Sequence, residues 1–264
     1  MRHFIQIAAV NAVFCVASPA FAQTPFHLEE ATIFSIRSAF ASGQLTCTQL
    51  TKLYLDRIEA YNLKGPSLHA IINVNPKAME TAAGMDQQYR ASRAGVGALH
   101  CIPLVLKDNF NTADMPTTGG NIGMKDSRPS ADAFTVAKLR GAGALILGKA
   151  NLQEFARGGM SKSSLGGQVL NPYDLTRTPG GSSGGTGASV AANLALSGTD
   201  SDSHMLDVLP TRGGPVGSRR DCTWVLGLPG FRVENIEGAD DSGTTRLRVH
   251  LVRCQVGSDD LHVK

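Results

Sequence analysis

The chain has 264 residues, 42% of them apolar and 18% charged, which is enough for one sizeable domain and lacks the bias of a disordered protein. A formal charge of +3, with no run of Arg or Lys, argues against nucleic-acid or membrane-surface binding and favours small-molecule partners.

The first residues carry the pattern of an export signal. Arg2 and His3 give a positive start, residues 4–16 are mostly apolar, and Ala20-Phe21-Ala22 fits the small-x-small cleavage rule, so residues 1–22 are expected to be removed. The alternative is an uncleaved anchor, but Gln6 and Asn11 interrupt an apolar stretch that is short for a bilayer. Export, periplasmic or secreted, would leave no membrane contact after cleavage. It would also place Cys47, Cys101, Cys222 and Cys254 in an oxidising compartment. Their spacing suits no metal, and a disulfide among them is possible without being assignable.

In chain order, residues 26–62 predict two helices, with stripes at Ile33, Ile36, Phe40 and at Leu50, Leu53, Tyr54, Ile58. Ser42-Gly43-Gln44 breaks them, and Thr46 with Gln49 three residues later has the form of a capping box. The period then changes. Ala70-Ile71-Ile72 reads as a short strand, residues 76–93 as a helix, and residues 102–106 as an apolar strand ending on Lys107-Asp108-Asn109. A turn-rich stretch around Pro116 and Gly119-Gly120 precedes a helix near residues 133–141 and the strand-like Ala144-Leu145-Ile146-Leu147. Such alternation predicts an α/β layered fold with a buried sheet, whose functional loops sit at strand ends.

Residues 158–187 shift to Gly and Ser. Gly180-Gly181-Ser182-Ser183-Gly184-Gly185-Thr186-Gly187 runs into the small-residue helix Ala188-Ser189-Val190-Ala191-Ala192. Glycines let backbone N–H groups turn inward, and a helix N-terminus favours negative charge, so this is anion-stabilising geometry. A flexible linker would have the same composition. The run also fits the G-x-S-x-G elbow of α/β-hydrolases, although residues 174–179 do not supply the apolar strand an elbow needs. A Walker-type phosphate loop would need a closing Lys-Ser/Thr pair, which is missing.

Four ordered blocks resemble the amidase signature family. They are Ile102-Pro103-Leu104-Val105-Leu106-Lys107-Asp108-Asn109 with Met115-Pro116-Thr117-Thr118-Gly119-Gly120, Gly148-Lys149-Ala150-Asn151-Leu152-Gln153-Glu154-Phe155-Ala156, Gly167-Gln168-Val169-Leu170-Asn171-Pro172-Tyr173-Asp174, and the serine run at 180–185. The similarity covers about residues 30–200. It implies an α/β/α layered fold with a mixed central sheet, here incomplete, and residues 23–203 as the first portion of an amidase domain. It further implies hydrolysis of carboxamide bonds in a small-molecule substrate by a Ser-Ser-Lys mechanism, without cofactor or metal. On this resemblance Lys107 is the catalytic lysine, Ser182 the bridging serine on a cis peptide bond, and a downstream serine the nucleophile. A lysine at the buried end of an apolar strand has its ammonium form disfavoured and can act as a base, with Ser182 passing the proton. The plainer alternatives are a surface Lys107 paired with Asp108 and a Ser182 that only caps a helix.

The resemblance stops at Ser201. The family continues Gly-Thr-Asp into glycines and the attacking serine, whereas this chain reads Gly198-Thr199-Asp200-Ser201-Asp202-Ser203-His204. In that register Ser201, Asp202 and Ser203 occupy the oxyanion-hole region and His204 the nucleophile position. A carboxylate at Asp202 would oppose the charge of a tetrahedral intermediate. Ser203 or Ser201 would serve only by slipping into register. Composition changes at the same point: Ala239 is the only alanine beyond it, and Arg outnumbers Lys. Residues 204–264 are therefore expected to be a non-homologous tail, through a change of reading frame near codons 201–203 or through divergence. The expectations for function are an amidase-family hydrolase lacking its nucleophile, a non-catalytic amide-binding remnant, or a serine hydrolase using Ser182 in an elbow.

Overall fold

The computed structural model describes residues 26–201 and three short strands beyond them, Val225–Leu226, Phe231–Val233 and Val249–Leu251. The expected leader, Asp202, Ser203, His204 and most of the tail lie outside the described residues.

The two front helices form as the apolar stripes require. Helix α1 (Ile33–Ala41) buries Ile36, Ala39 and Phe40, and α2 (Cys47–Tyr61) buries Cys47, Leu50, Thr51, Tyr54 and Ile58. Both begin on capping boxes, Thr32 with Ser35 and Thr46 with Gln49, so the first free N–H groups of each helix are satisfied locally. The start of α2 has a second anchor. The Asp86 carboxylate, on α3 (Ala78–Ala91), accepts from the N–H groups of Cys47 and Thr48 at 2.7 and 3.0 Å and complements the positive end of the helix.

Strand β1 (Ile71–Val74) precedes α3; β2 (Pro103–Lys107) and β3 (Leu145–Ala150) follow, separated by α4 (Phe134–Gly141). Two residues each form β4 (Lys162–Ser163) and β5 (Gly167–Gln168), then come α5 (Gly184–Ala191) and β6 (Ser197–Thr199). The remaining strands are β7 (Val225–Leu226), β8 (Phe231–Val233) and β9 (Val249–Leu251). One mixed sheet runs in the order β1-β3-β2-β6-β7: β3, β2 and β6 are parallel, and β1 and β7 pair antiparallel at its edges. Every residue of β2 and β3 is buried, which is why residues 103–106 and 145–147 read as continuous apolar runs and not as alternating ones.

Helix α5 lies against this sheet, and small residues set how closely it can approach. A Cβ on Gly185 would collide with the carbonyl oxygens of Asn151 and Ala70. Cys47 and Cys101 form a disulfide that ties the first turn of α2 to the residues leading into β2, with Cα atoms 5.7 Å apart. Among the described residues no helix is long and apolar enough to cross a membrane.

Candidate active site

The parallel strands β2, β3 and β6 deliver their C-terminal ends to one side of the sheet, the side where α/β proteins place ligands. Lys107 is the last residue of β2. Its side chain is fully buried, and its Nζ lies 2.7 Å from Ser182 Oγ. The alternative of a surface lysine paired with Asp108 is set aside by this burial. In the β2–β3 register Lys107 faces Ala150 and Leu106 faces Lys149, so strand alternation sends Lys107 and Asp108 to opposite faces. Asp108 pairs instead with Lys149, at 3.2 Å, both side chains being fully buried.

The serine loop is ordered and fixed at several points, not a flexible linker. Ser161 Oγ donates to the Gly180 carbonyl at 2.6 Å and accepts from the Gly184 N–H at 2.9 Å, clasping both ends of the turn. The Gln153 N–H donates to the Ser182 carbonyl at 2.9 Å, and the Gly181–Ser182 peptide is cis. The helix-cap alternative for Ser182 also fails: Ser183 holds the N-cap position of α5 and makes no side-chain capping bond. Ser183 Oγ donates to the Asp200 carboxylate. No strand runs into Gly180, since residues 175–183 are turns and irregular chain, so the geometry of an α/β-hydrolase elbow is missing.

Strand β6 brings the third wall. Thr199 Oγ1 accepts from the Lys107 N–H at 3.0 Å, while Thr186 Oγ1 on α5 donates to the Thr199 carbonyl, locking β2, β6 and α5 together. Beyond it Asp200 Oδ1 lies 3.8 Å from Lys107 Nζ. Ser201 places its Oγ 2.8 Å and its carbonyl oxygen 2.9 Å from the same nitrogen. Asn109 Nδ2 donates to Ser201 Oγ at 3.0 Å. Lys107, Ser182 and Ser201 therefore meet at one point, and a buried ammonium or amine faces two hydroxyls, the arrangement needed to pass a proton between oxygen atoms.

The sequence reasoning gave no role to Asn109, Ser161, Ser183 or the Asp108–Lys149 pair. The signal that could have found Asn109 was its place two residues after the lysine. Nothing local marks Ser161, whose partners are 19 and 23 positions away. Among the described residues no cluster of His, Cys, Asp or Glu could hold a metal ion.

The fold and site together define an α/β protein with a mixed sheet whose strand ends gather a buried lysine and two serines. The family model for amidases matches residues 49–203, and the chain belongs to that family, the amidase signature proteins. A glutamyl-tRNA(Gln) amidotransferase component from Acidothermus cellulolyticus is 40% identical over 161 residues, 61% of this chain and 31% of that protein. The native peptide amidase of Stenotrophomonas maltophilia superposes with a TM-score of 0.63 at 42% identity, over 66% of this chain and 37% of that one. An amidase family protein of Bacillus anthracis gives a TM-score of 0.62 at 36% identity, over 66% and 35%. The chain thus spans about a third of the length of the relatives it matches.

Proposed function

We propose that this chain carries the proton-relay half of a site for carboxamide bonds, with Lys107 as base and Ser182 as the group that passes the proton to an attacking hydroxyl. The 2.7 Å contact between the fully buried Lys107 Nζ and Ser182 Oγ carries the proposal. Membership of the amidase family and similarity to a peptide amidase support it. With His204 in the nucleophile register, the chain as it stands binds amides without turning them over. A small carboxamide is then expected to raise the melting temperature of the wild type while an aryl amide yields no product, and Lys107→Ala and Ser182→Ala each abolish the shift. Amide turnover that survives both substitutions would overturn the relay.

A second assignment is favoured by the position of Ser201, 2.8 Å from Lys107 Nζ and 3.0 Å from Asn109 Nδ2: Ser201 would itself be the attacking hydroxyl. A fluorophosphonate probe followed by peptide mapping separates the cases. Label on Ser201 supports the second assignment, label on Ser182 the elbow, and absence of label the relay without a nucleophile.

Export is part of the same proposal. The leader-like residues 1–22 and the Cys47–Cys101 disulfide both suit an oxidising compartment. Mature protein recovered from a periplasmic or culture fraction should begin at Gln23.

A further inference from the structure

Behind the relay, on the opposite face of the sheet, lies a second fully buried lysine that the proposed chemistry does not use. Lys149 Nζ reaches the Phe110 carbonyl at 2.8 Å, the Pro116 carbonyl at 3.2 Å, Thr117 Oγ1 at 2.8 Å and Asp108 Oδ1 at 3.2 Å. All four partners belong to the segment that leaves β2 just after Lys107. Asp108 gathers the far end of that segment, its Oδ2 accepting from the N–H groups of Thr118 and Gly120 at 3.1 and 3.3 Å and from the Thr118 hydroxyl. Gly119 and Gly120, with φ of 59° and 77°, supply the left-handed turn that aims these amides at the carboxylate.

Two buried charges thus close a loop of about a dozen residues on itself, and Asn109, which donates to the same Ser201 Oγ that Lys107 Nζ reaches, is the second residue of that loop. Burial disfavours the Lys149 ammonium and lowers its pKa, while the Asp108 carboxylate opposes this. A buried pair of this kind contributes little net stability compared with apolar residues, but removing one member leaves the other uncompensated, so it specifies one conformation.

We infer that Lys149 is a positioning residue for the site: by clamping residues 108–117 it fixes Asn109 against Ser201 and so sets the surroundings of the Lys107 nitrogen. For its consequence at the relay the inference rests on the proposed function; for the ordering of the loop it does not.

Two readouts on the full chain test it. In Lys149→Met, backbone hydrogen exchange across residues 109–120 should quicken at least tenfold while peptides from α2 and α3 exchange as in the wild type. The carboxamide-induced thermal shift should also disappear, an effect that a merely structural lysine would not have. Thr117→Val, which removes one acceptor and keeps both charges, should quicken the same segment to a lesser degree, and it decides the matter if Lys149→Met does not fold. Loop exchange within twofold of wild type overturns the inference, as does an equal quickening in the loop and the helices. A thermal shift retained in Lys149→Met but lost in Lys107→Ala also overturns it. A wild type with no carboxamide shift at all overturns the proposed function instead, and the exchange data still decide the role of Lys149.

Discussion

Lys107 and Ser182 stand 75 positions apart in the sequence and 2.7 Å apart in the structure, one at the end of the central strand β2 and the other in the turn before α5. Their meeting depends on β6, because Thr199 receives the Lys107 N–H while Thr186 of α5 binds the Thr199 carbonyl. The lysine is placed by backbone pairing on one side and by a helix packed on the sheet on the other. The contact is therefore a property of the assembled α/β unit and not of either segment.

Stability and function should part at Lys107. A fully buried lysine costs desolvation, which its hydrogen bonds to Ser182 and Ser201 and a carboxylate at 3.8 Å must offset. Lys107→Met replaces it with an apolar chain of similar length and is expected to leave the urea midpoint unchanged or to raise it, while the carboxamide-dependent shift is lost. Ser182→Ala is expected to go the other way, costing about 1–3 kcal/mol because the buried nitrogen loses a partner. Urea titrations of the two variants beside the wild type check the opposed signs.

The Cys47–Cys101 disulfide closes a sequence separation of 54 residues. Chain entropy for a loop of that size corresponds to about 4 kcal/mol of stabilisation, an upper figure because denatured chains are not ideal coils. Urea unfolding with and without dithiothreitol, together with the double variant Cys47→Ala/Cys101→Ala, should show a loss of that order. Equal midpoints under oxidising and reducing conditions would remove the disulfide as a support for export.

The sequence made α1, α2, β1, α3, β2, α4 and the first half of β3 legible through apolar periods and runs, most clearly where a full stripe or run is buried, as in α1, α2 and β2. Strand β3 continues through Gly148-Lys149-Ala150, which hydropathy ended at Leu147, because the lysine is carried inside by its ion pair with Asp108. Strand β6 was missed since three small residues, Ser197, Gly198 and Thr199, carry almost no apolar signal and are strand only by pairing with β2. The site behaved likewise. Lys107 and Ser182 were visible as parts of long motifs, whereas Ser161 and Lys149 act through contacts to backbone atoms far along the chain, which residue type alone does not reveal.

Acid should weaken the fold through His100. Its ring is nearly buried and stacks on Tyr89 with centroids 5.6 Å apart, and burial lowers its pKa against the opposing effects of the Asp86 charge and the Met85 backbone. The folded state therefore takes up this proton at lower pH than the unfolded chain does. The stability concerned is fully present above about pH 6.5, the ordinary histidine value, and is lost as pH falls through the folded-state pKa, with a slope of at most about 1.4 kcal/mol per pH unit. Urea midpoints at pH 7.5 and 5.5 should differ more in the wild type than in His100→Phe, which keeps a ring on Tyr89 and has no proton to bind. An equal difference in both proteins would assign the acid sensitivity to other groups.

Gly185 tests whether the close seating of α5 is what brings Ser182 to Lys107. The helix begins at Gly184, two residues after Ser182, and Gly185 lies where its backbone meets the carbonyl oxygens of Asn151 and Ala70, with its own N–H donating to the Asn151 carbonyl at 3.1 Å. Both carbonyls are backbone atoms at the ends of β1 and β3, so neither can swing aside as a side chain would. Gly185→Ala must push the helix off the sheet. Overpacking of this kind costs about 1–3 kcal/mol or more, larger than the gain in helix propensity of about 1 kcal/mol from replacing glycine by alanine. The variant should therefore melt lower despite its better helix former, and its carboxamide shift should weaken as Ser182 moves with the helix. Gly187→Ala provides the control, because a Cβ there meets nothing within 4 Å. It should raise the melting temperature slightly and leave the shift intact.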